Sequence, residues 1–194
     1  MPVLPEEILH QALSARKIMI DSGGVTFTGG EPTLQSSALK KTLSMLCENE
    51  IHTVIQTNGT SAELPDFLPM LSLLIIDFKH YDDEKHKNVI GISNASIVEN
   101  LKLACKNGLQ VWIRTPLING FNATEEDIAG FIKVYQSLEL DNTSFEFLPY
   151  HEYGRGKWEK LGRKYAVNDG AVSQETVKRF VDAYSANGLH VIRT

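Results

Sequence analysis

The sequence is poor in cysteine, and its two cysteines stand far apart. Cys47 and Cys105 are the only ones among 194 residues, and each lies in a segment whose apolar spacing predicts an amphipathic helix. Zinc ribbons, ferredoxin-type sites and disulfide frameworks need grouped cysteines, so this pattern excludes them. We expect both thiols to be small buried apolar groups.

The sequence also lacks an excess of positive charge and any long apolar run. Its 19 basic and 24 acidic residues give a formal net charge of −5, which disfavours non-specific binding to nucleic acid or anionic membranes. No run approaches the roughly 20 apolar residues of a membrane-spanning helix. The first residues lack the basic start and apolar core of a signal peptide, so we expect a cytoplasmic protein.

What the sequence does contain is typical of a folded α/β domain. Apolar residues make up 42% and charged residues 22%, and short runs rich in Val, Ile and Phe alternate with segments of helical periodicity. This alternation predicts a parallel sheet with crossover helices, in one domain over residues 1–194. The predicted strands are 24–28, 52–57, 73–79, 110–118, 144–150 and 190–194. The predicted helices are 4–20, 36–49, 96–106, 125–138 and 174–186.

Polar residues and glycines collect at the downstream ends of five predicted strands. Because the carboxyl ends of parallel strands share one edge of a sheet, we expect these residues to meet at an active site. Each has an ordinary alternative as well: a strand-to-helix turn for Gly29 and Gly30, a solvated ion pair for Asp77 and Lys79, a surface position for His151. The five segments are 28–32, 56–59, 77–80, 114–116 and 148–152.

The same segments carry a resemblance to a known family. GGVTFTGGEP at 23–32 resembles the signature of the radical S-adenosylmethionine (SAM) enzymes that activate glycyl radical enzymes, of which the pyruvate formate-lyase activating enzymes are the type. TNG at 57–59, DFK at 77–79, VWIR at 111–114 and LPYHEYGRGKW at 148–158 follow in the family's order and with similar spacing. The likeness runs from about residue 23 to the end.

The resemblance implies a fold and an activity. The fold would be an incomplete (split) TIM-type barrel of parallel strands with outer helices, its first strand and cluster loop missing. The complete enzyme would cleave SAM reductively at a [4Fe-4S] cluster and remove hydrogen from a glycine of a pyruvate formate-lyase-like partner. Flavodoxin or ferredoxin would be its electron donor.

The resemblance also implies site residues. Arg114 would be the catalytic residue, facing the cleft into which the partner's glycyl loop enters. Gln56 replaces an acidic residue of the type enzyme, which weakens a cation site there. SAM binding would fall to Gly29, Gly30, Glu31, Thr57, Asp77, Lys79 and His151.

One element of the family is missing from this sequence. The family binds its cluster with a C-x3-C-x2-C motif, which the sequence does not contain, so no metal ligands are assigned. We expect the chain to correspond to the C-terminal portion of an activating enzyme and to perform no radical chemistry alone. It could be an expressed fragment, a gene with a mistaken start or a true cluster-less relative.

Two other functions remain open. The chain could be a cluster-less, non-catalytic protein that docks a glycyl radical enzyme or binds a nucleoside. It could also be a phosphate-handling enzyme with Gly29 and Gly30 as a phosphate loop, which we disfavour because the Glu31 carboxylate would repel the anion.

Overall fold

The alternating pattern folds into one parallel sheet. A computed structural model describes residues 3–19, 23–163, 165 and 167–192, and its strands lie in the order β1-β2-β3-β4-β5-β6, every neighbouring pair parallel. This confirms the predicted α/β class. Of the last predicted strand, 190–194, residues 193 and 194 lie outside the described residues. The strands are β1 (Gly24–Phe27), β2 (His52–Thr57), β3 (Leu73–Asp77), β4 (Gln110–Leu117), β5 (Thr143–Pro149) and β6 (His190–Val191).

The helices follow the strands, as the crossover pattern predicts. Several start at a side chain that accepts a hydrogen bond from the first turn, such as Asp82, Thr124 and Ser173. The helices are α1 (Pro5–Ala15), α2 (Ser36–Glu48), α3 (Leu64–Phe67), α4 (Asp83–Ile90), α5 (Ala95–Lys106), α6 (Glu125–Tyr135), α7 (Arg155–Lys160) and α8 (Gln174–Ala186), with 3₁₀ turns at Pro32–Gln35 and Leu68–Met70.

The predicted helix over 4–20 is shorter than expected. It ends at Ala15, and Ile18 in the following turn is exposed, so this residue adds no buried contact that would continue the helix. Residue 20 lies outside the described residues. Helices α3, α4 and α7 were not predicted. For α4 the reason is its mostly polar sequence, which gives little apolar periodicity.

The two faces of the sheet differ in composition. Alternate strand residues such as Ile55, Ile76 and Ile113 pack with the helices in the main core, because side-chain direction has period two along a strand. The opposite face, here called the inner face, carries a small apolar cluster with Val54 and Ile75. Its polar positions follow toward the carboxyl ends of the strands, so they share one edge of the sheet. No described helix is long and apolar enough to cross a membrane.

The two cysteines differ in their surroundings. Cys105 is buried on α5, where burial raises the pKa of its thiol. Cys47 is exposed on α2, so the expectation that both thiols are buried was wrong for this residue. Its position lies one residue beyond the buried stripe of Leu39, Leu43 and Leu46, which turns its side chain away from the core.

Candidate functional site

The glycine loop after β1 exposes its backbone. Gly29 and Gly30 have φ angles of +84° and +47°, a region that side chains with a Cβ rarely adopt. A Cβ built on either glycine would meet no atom within 4 Å. The peptide groups of this loop are therefore open to a ligand. Glycine is required here by the positive φ angles and not by a lack of space.

Glu31 connects this loop to the end of β2. Its Oε1 accepts hydrogen bonds from the Thr33 amide (3.2 Å), the Thr33 hydroxyl (2.7 Å) and the Thr57 hydroxyl (2.7 Å). Its Oε2 accepts one from the Asn58 amide at 2.8 Å. The carboxylate is thus engaged by four donors of the protein, and it braces two loops that the sequence assigned to one site.

Thr57 is likewise engaged within the protein. The side chain is buried, and its hydroxyl donates to Glu31 while accepting from the Gly59 amide at 3.1 Å. Gly59 has φ of +75°, and a Cβ there would lie 2.4 Å from Ile76 Cδ1, so both the backbone conformation and the close contact favour glycine in this turn. Gln56 accepts a hydrogen bond from the Thr28 hydroxyl at 3.4 Å, which links the first two strand ends a second time.

Asp77 and Lys79 form an accessible ion pair at the end of β3. Lys79 Nζ lies 3.1 Å from Asp77 Oδ2, and each side chain keeps 27% of its surface exposed. Asp77 shares the inner face with Ile75, two positions earlier on the strand. The pair offers one acceptor and one donor of opposite charge to a ligand on that face.

Arg114 forms an ion pair with a residue that the sequence analysis missed. Its Nε donates to Glu146 Oε2, and Glu146, on β5, is 2% exposed. Arg114 is in register with Asp77 on one side and Glu146 on the other. Arg114 thus forms a structural salt bridge, which is the common alternative to a functional role for a charged residue at the end of a strand. The sequence places opposite charges on neighbouring strands here, and this pattern could have predicted the pair of Arg114 with Glu146.

His151 lies apart from this hydrogen-bonded set. It is exposed in the loop after β5, and its ring lies against that of Tyr153, with centroids 4.3 Å apart and planes inclined by 30°. The structure places it after β5, on the side of the sheet where the other strand ends lie, and its imidazole is accessible to solvent.

Buried asparagines hold the loops of the site, and the sequence analysis missed these too. Asn100 donates to the carbonyls of Gly59 and Ser61, both at 2.9 Å. Asn94 donates to the carbonyls of His80 and Tyr81, again both at 2.9 Å.

The residues of this chain do not fit an iron–sulfur cluster. A site-differentiated [4Fe-4S] cluster takes three cysteine thiolates, whereas Cys47 and Cys105 belong to different helices, one exposed and one buried. In the described part of the chain, no three His, Cys, Asp or Glu side chains are grouped so that they could hold a metal ion.

Comparison with known families and relatives gives a consistent result. Residues 2–132 match the family model described as the radical SAM superfamily. The chain is 35% identical over 174 residues to a 4-hydroxyphenylacetate decarboxylase activating enzyme of Clostridioides difficile (strain CD196), covering 87% of this chain and 54% of that protein. It is 35% identical over 188 residues to a pyruvate formate-lyase-activating enzyme of Staphylococcus aureus (strain USA300), covering 91% and 74%.

A solved structure agrees in fold. A domain of pyruvate-formate lyase-activating enzyme from Bacteroides vulgatus ATCC 8482 superposes with a TM-score of 0.72 at 26% identity, covering 88% of this chain and 98% of that one. The chain spans about half the length of the Clostridioides difficile relative. It belongs to the radical SAM superfamily, and its relatives there are glycyl radical enzyme activating enzymes.

Proposed function

We propose that this chain is the SAM-binding portion of a glycyl radical enzyme activating enzyme. The observation that carries the proposal is the accessible Asp77–Lys79 pair at the sheet edge that also holds the open Gly29–Gly30 loop. The amino-acid end of SAM is zwitterionic, with an ammonium group and a carboxylate, and such a ligand is complementary to a pair of opposite charges.

Each residue of the site then has a definite task. Lys79 donates to the carboxylate or ribose of SAM, and Asp77 accepts from its ammonium group. Peptide groups of Gly29 and Gly30 approach the methionyl end without an intervening Cβ. When bound, SAM supplies the 5′-deoxyadenosyl group with which this family removes hydrogen from a glycine.

The remaining residues of the predicted site act less directly. Glu31 and Thr57 hold the loops in place, since their polar atoms are already engaged by the protein. The exposed His151 ring is available to the ribose or adenine end. Gln56 supplies a neutral amide at the position where the type enzyme has an acidic residue, and a neutral amide favours a cation less than a carboxylate does.

The proposal extends to the partner and the setting. Named relatives activate pyruvate formate-lyase or 4-hydroxyphenylacetate decarboxylase, and we propose a pyruvate formate-lyase-like protein as the partner of this chain. Arg114, oriented by Glu146, would contact the backbone of the entering glycyl loop. Flavodoxin or ferredoxin would serve as electron donor in the cytoplasm, and residues 1–194 would form one split-barrel unit.

The cluster belongs to the proposal only for the complete enzyme. Because the two cysteines here do not fit one, we infer that its ligands lie outside this sequence. The same observation supports a second candidate, a cluster-less protein that binds a nucleoside or docks a glycyl radical enzyme without catalysis.

Titration of the chain with SAM, followed by the amide NMR signals of Gly29 and Gly30, tests the proposal. We expect saturable shifts with a dissociation constant of about 1 mM, equivalent to roughly −4 kcal/mol, because a cluster would otherwise anchor the amino-acid end. Lys79→Met removes a charge-assisted hydrogen bond and should weaken binding about tenfold or more.

Asp66→Asn is the matched control for Asp77→Asn, because Asp66 also pairs with a lysine, Lys40, at 3.0 Å but on the surface of α3. The control should leave the affinity for SAM unchanged, whereas Asp77→Asn should lower it. If the Gly29 and Gly30 signals do not shift at SAM concentrations well above 1 mM, the proposal is overturned. Adenosine binding as tight as SAM binding would favour the nucleoside-binding candidate instead.

A further inference from the structure

Asn122, in the loop between β4 and α6, joins the ends of two strands. Its side chain is fully buried, and its amide nitrogen donates to the carbonyls of Lys79 (2.7 Å) and Pro116 (2.8 Å). Its amide oxygen accepts from the backbone N–H of Ile118 at 2.8 Å. Three hydrogen bonds therefore fix this amide between the loop after β3 and the end of β4.

The position of these bonds matters because the ladder between β3 and β4 stops here. The strands are in register as far as Asp77 and Arg114, and the Phe78 amide still donates to the Arg114 carbonyl at 2.9 Å. Lys79 is the next residue, and Asn122 supplies the hydrogen bond to its carbonyl that the ladder no longer provides.

His80 connects the same two loops a second time. Its Nδ1 accepts from the Asp82 amide at 3.0 Å, which places the ring proton on Nε2. Nε2 then donates to the Phe121 carbonyl at 3.1 Å. The backbone on both sides of the bond from Lys79 to His80 is thus held against the 118–124 loop.

We propose that Asn122 is a positioning residue for SAM: by fixing the backbone of Lys79, it sets where the lysine ammonium meets the carboxylate of the ligand. This inference rests on the proposed function and takes the carboxylate, of the two SAM groups named there, as the one that Lys79 binds. The Lys79 ammonium lies 3.1 Å from Asp77 Oδ2. A shift of the Lys79 backbone would therefore strain or break this pair, which in the proposed function receives the amino-acid end of SAM.

Binding of SAM and of adenosine, measured side by side, distinguishes a role of Asn122 in positioning Lys79 from general support of the fold. Asn122→Ser removes the amide without adding a charge. We expect it to weaken SAM binding about tenfold, or 1.4 kcal/mol, and to leave the affinity for adenosine, which has no carboxylate, within twofold of the wild type. In a Lys79→Met background the same substitution should have no further effect on SAM, because the residue through which Asn122 acts is gone.

Asn142→Ser is the matched control. Asn142 also donates its amide to a carbonyl, that of Gly108, at 2.9 Å, but just before β5, at the opposite end of the strands. It should leave both affinities unchanged. If Asn122→Ser does not fold, Asn122→Gln, which keeps the amide but displaces it by one methylene, should show a smaller loss with the same preference for SAM.

Two results would overturn the inference alone: equal losses for SAM and adenosine, or a loss for SAM that persists in the Lys79→Met background. Failure of the wild-type chain to bind SAM would overturn the proposed function, and this inference with it.

Discussion

At the scale of single residues, the acidic group of the glycine-rich segment serves the protein's own backbone. The Glu31 carboxylate accepts from Thr33, Thr57 and Asn58, so it holds the loop after β1 against the end of β2. The Glu31 carboxylate therefore holds these two loops together, whereas the space beside Gly29 and Gly30 is open.

Glu31→Gln should therefore lower stability. The new NH2 group would face donors, which leaves at least one partly buried hydrogen bond unmade and costs about 1–3 kcal/mol. Urea unfolding of the chain measures the free energy of unfolding directly. Glu63→Gln is the control, because the Glu63 carboxylate accepts only one of the hydrogen bonds described, an exposed one from the Ser36 hydroxyl. It should change stability by less than about 0.5 kcal/mol. Equal losses in the two variants would contradict the bracing role.

At the scale of elements, the loop after β3 depends on a buried histidine. Burial lowers the pKa of His80, and the nearby Asp127 carboxylate opposes this effect only in part. Its Nε2 lies 3.5 Å from Asp127 Oδ1, while Lys85 Nζ lies 3.7 Å from the same oxygen. The folded chain therefore favours the neutral ring, whose Nδ1 accepts the Asp82 amide.

This shift predicts a pH dependence of stability. A histidine whose pKa is lowered by folding binds more protons in the unfolded state, so its stabilising contribution is complete above the unfolded value of about 6.5 and is lost as pH falls below it. His80→Gln should be less stable at pH 7.5 but should show a shallower loss of stability between pH 6.5 and 5 than the wild type. His10→Gln, at an exposed position, should keep the wild-type slope. A slope unchanged in His80→Gln would exclude His80 as its source.

At the scale of the whole molecule, the sheet leaves β1 with one strand neighbour in the described part of the chain. The order β1 to β6 places β1 at an edge, paired with β2. A strand edge presents backbone donors and acceptors that can pair with another chain. Thr26 at the middle of this edge is exposed.

We expect the chain to self-associate through this edge at high concentration. Sedimentation velocity should show a mass that rises with concentration, and Thr26→Lys should suppress the rise, because a charge on an edge strand disfavours further pairing. Ser185→Lys adds the same charge on α8, which packs against β6 at the other end of the sheet, and should leave association unchanged. A wild-type chain that stays monomeric throughout, or equal suppression by both variants, would contradict edge pairing.

The sequence by itself determined the class of the fold. Alternating Val- and Ile-rich runs and helical stretches were enough to predict the parallel sheet and helices α2, α5, α6 and α8. A helix buried on one face leaves an apolar period of about 3.6 residues, and a strand buried on both faces leaves a short apolar run. The short polar helix α4 leaves no such period and was not predicted. The motifs around Gly29, Thr57, Asp77 and Arg114 also indicated the family, because each motif is a short contiguous stretch that can be recognised in the sequence alone.

Only the tertiary structure decided what each polar group of the site does. The sequence predicted that the segments with Glu31 and Thr57 lie at one edge of the sheet. It could not predict the hydrogen bond between these two residues, because that bond depends on the distance between the two loops. The salt bridge of Arg114 with Glu146 and the amide of Asn122 on Lys79 likewise join residues more than 30 positions apart. Such contacts have no local period, and a buried polar group finds its partner only when the packed strands bring both together.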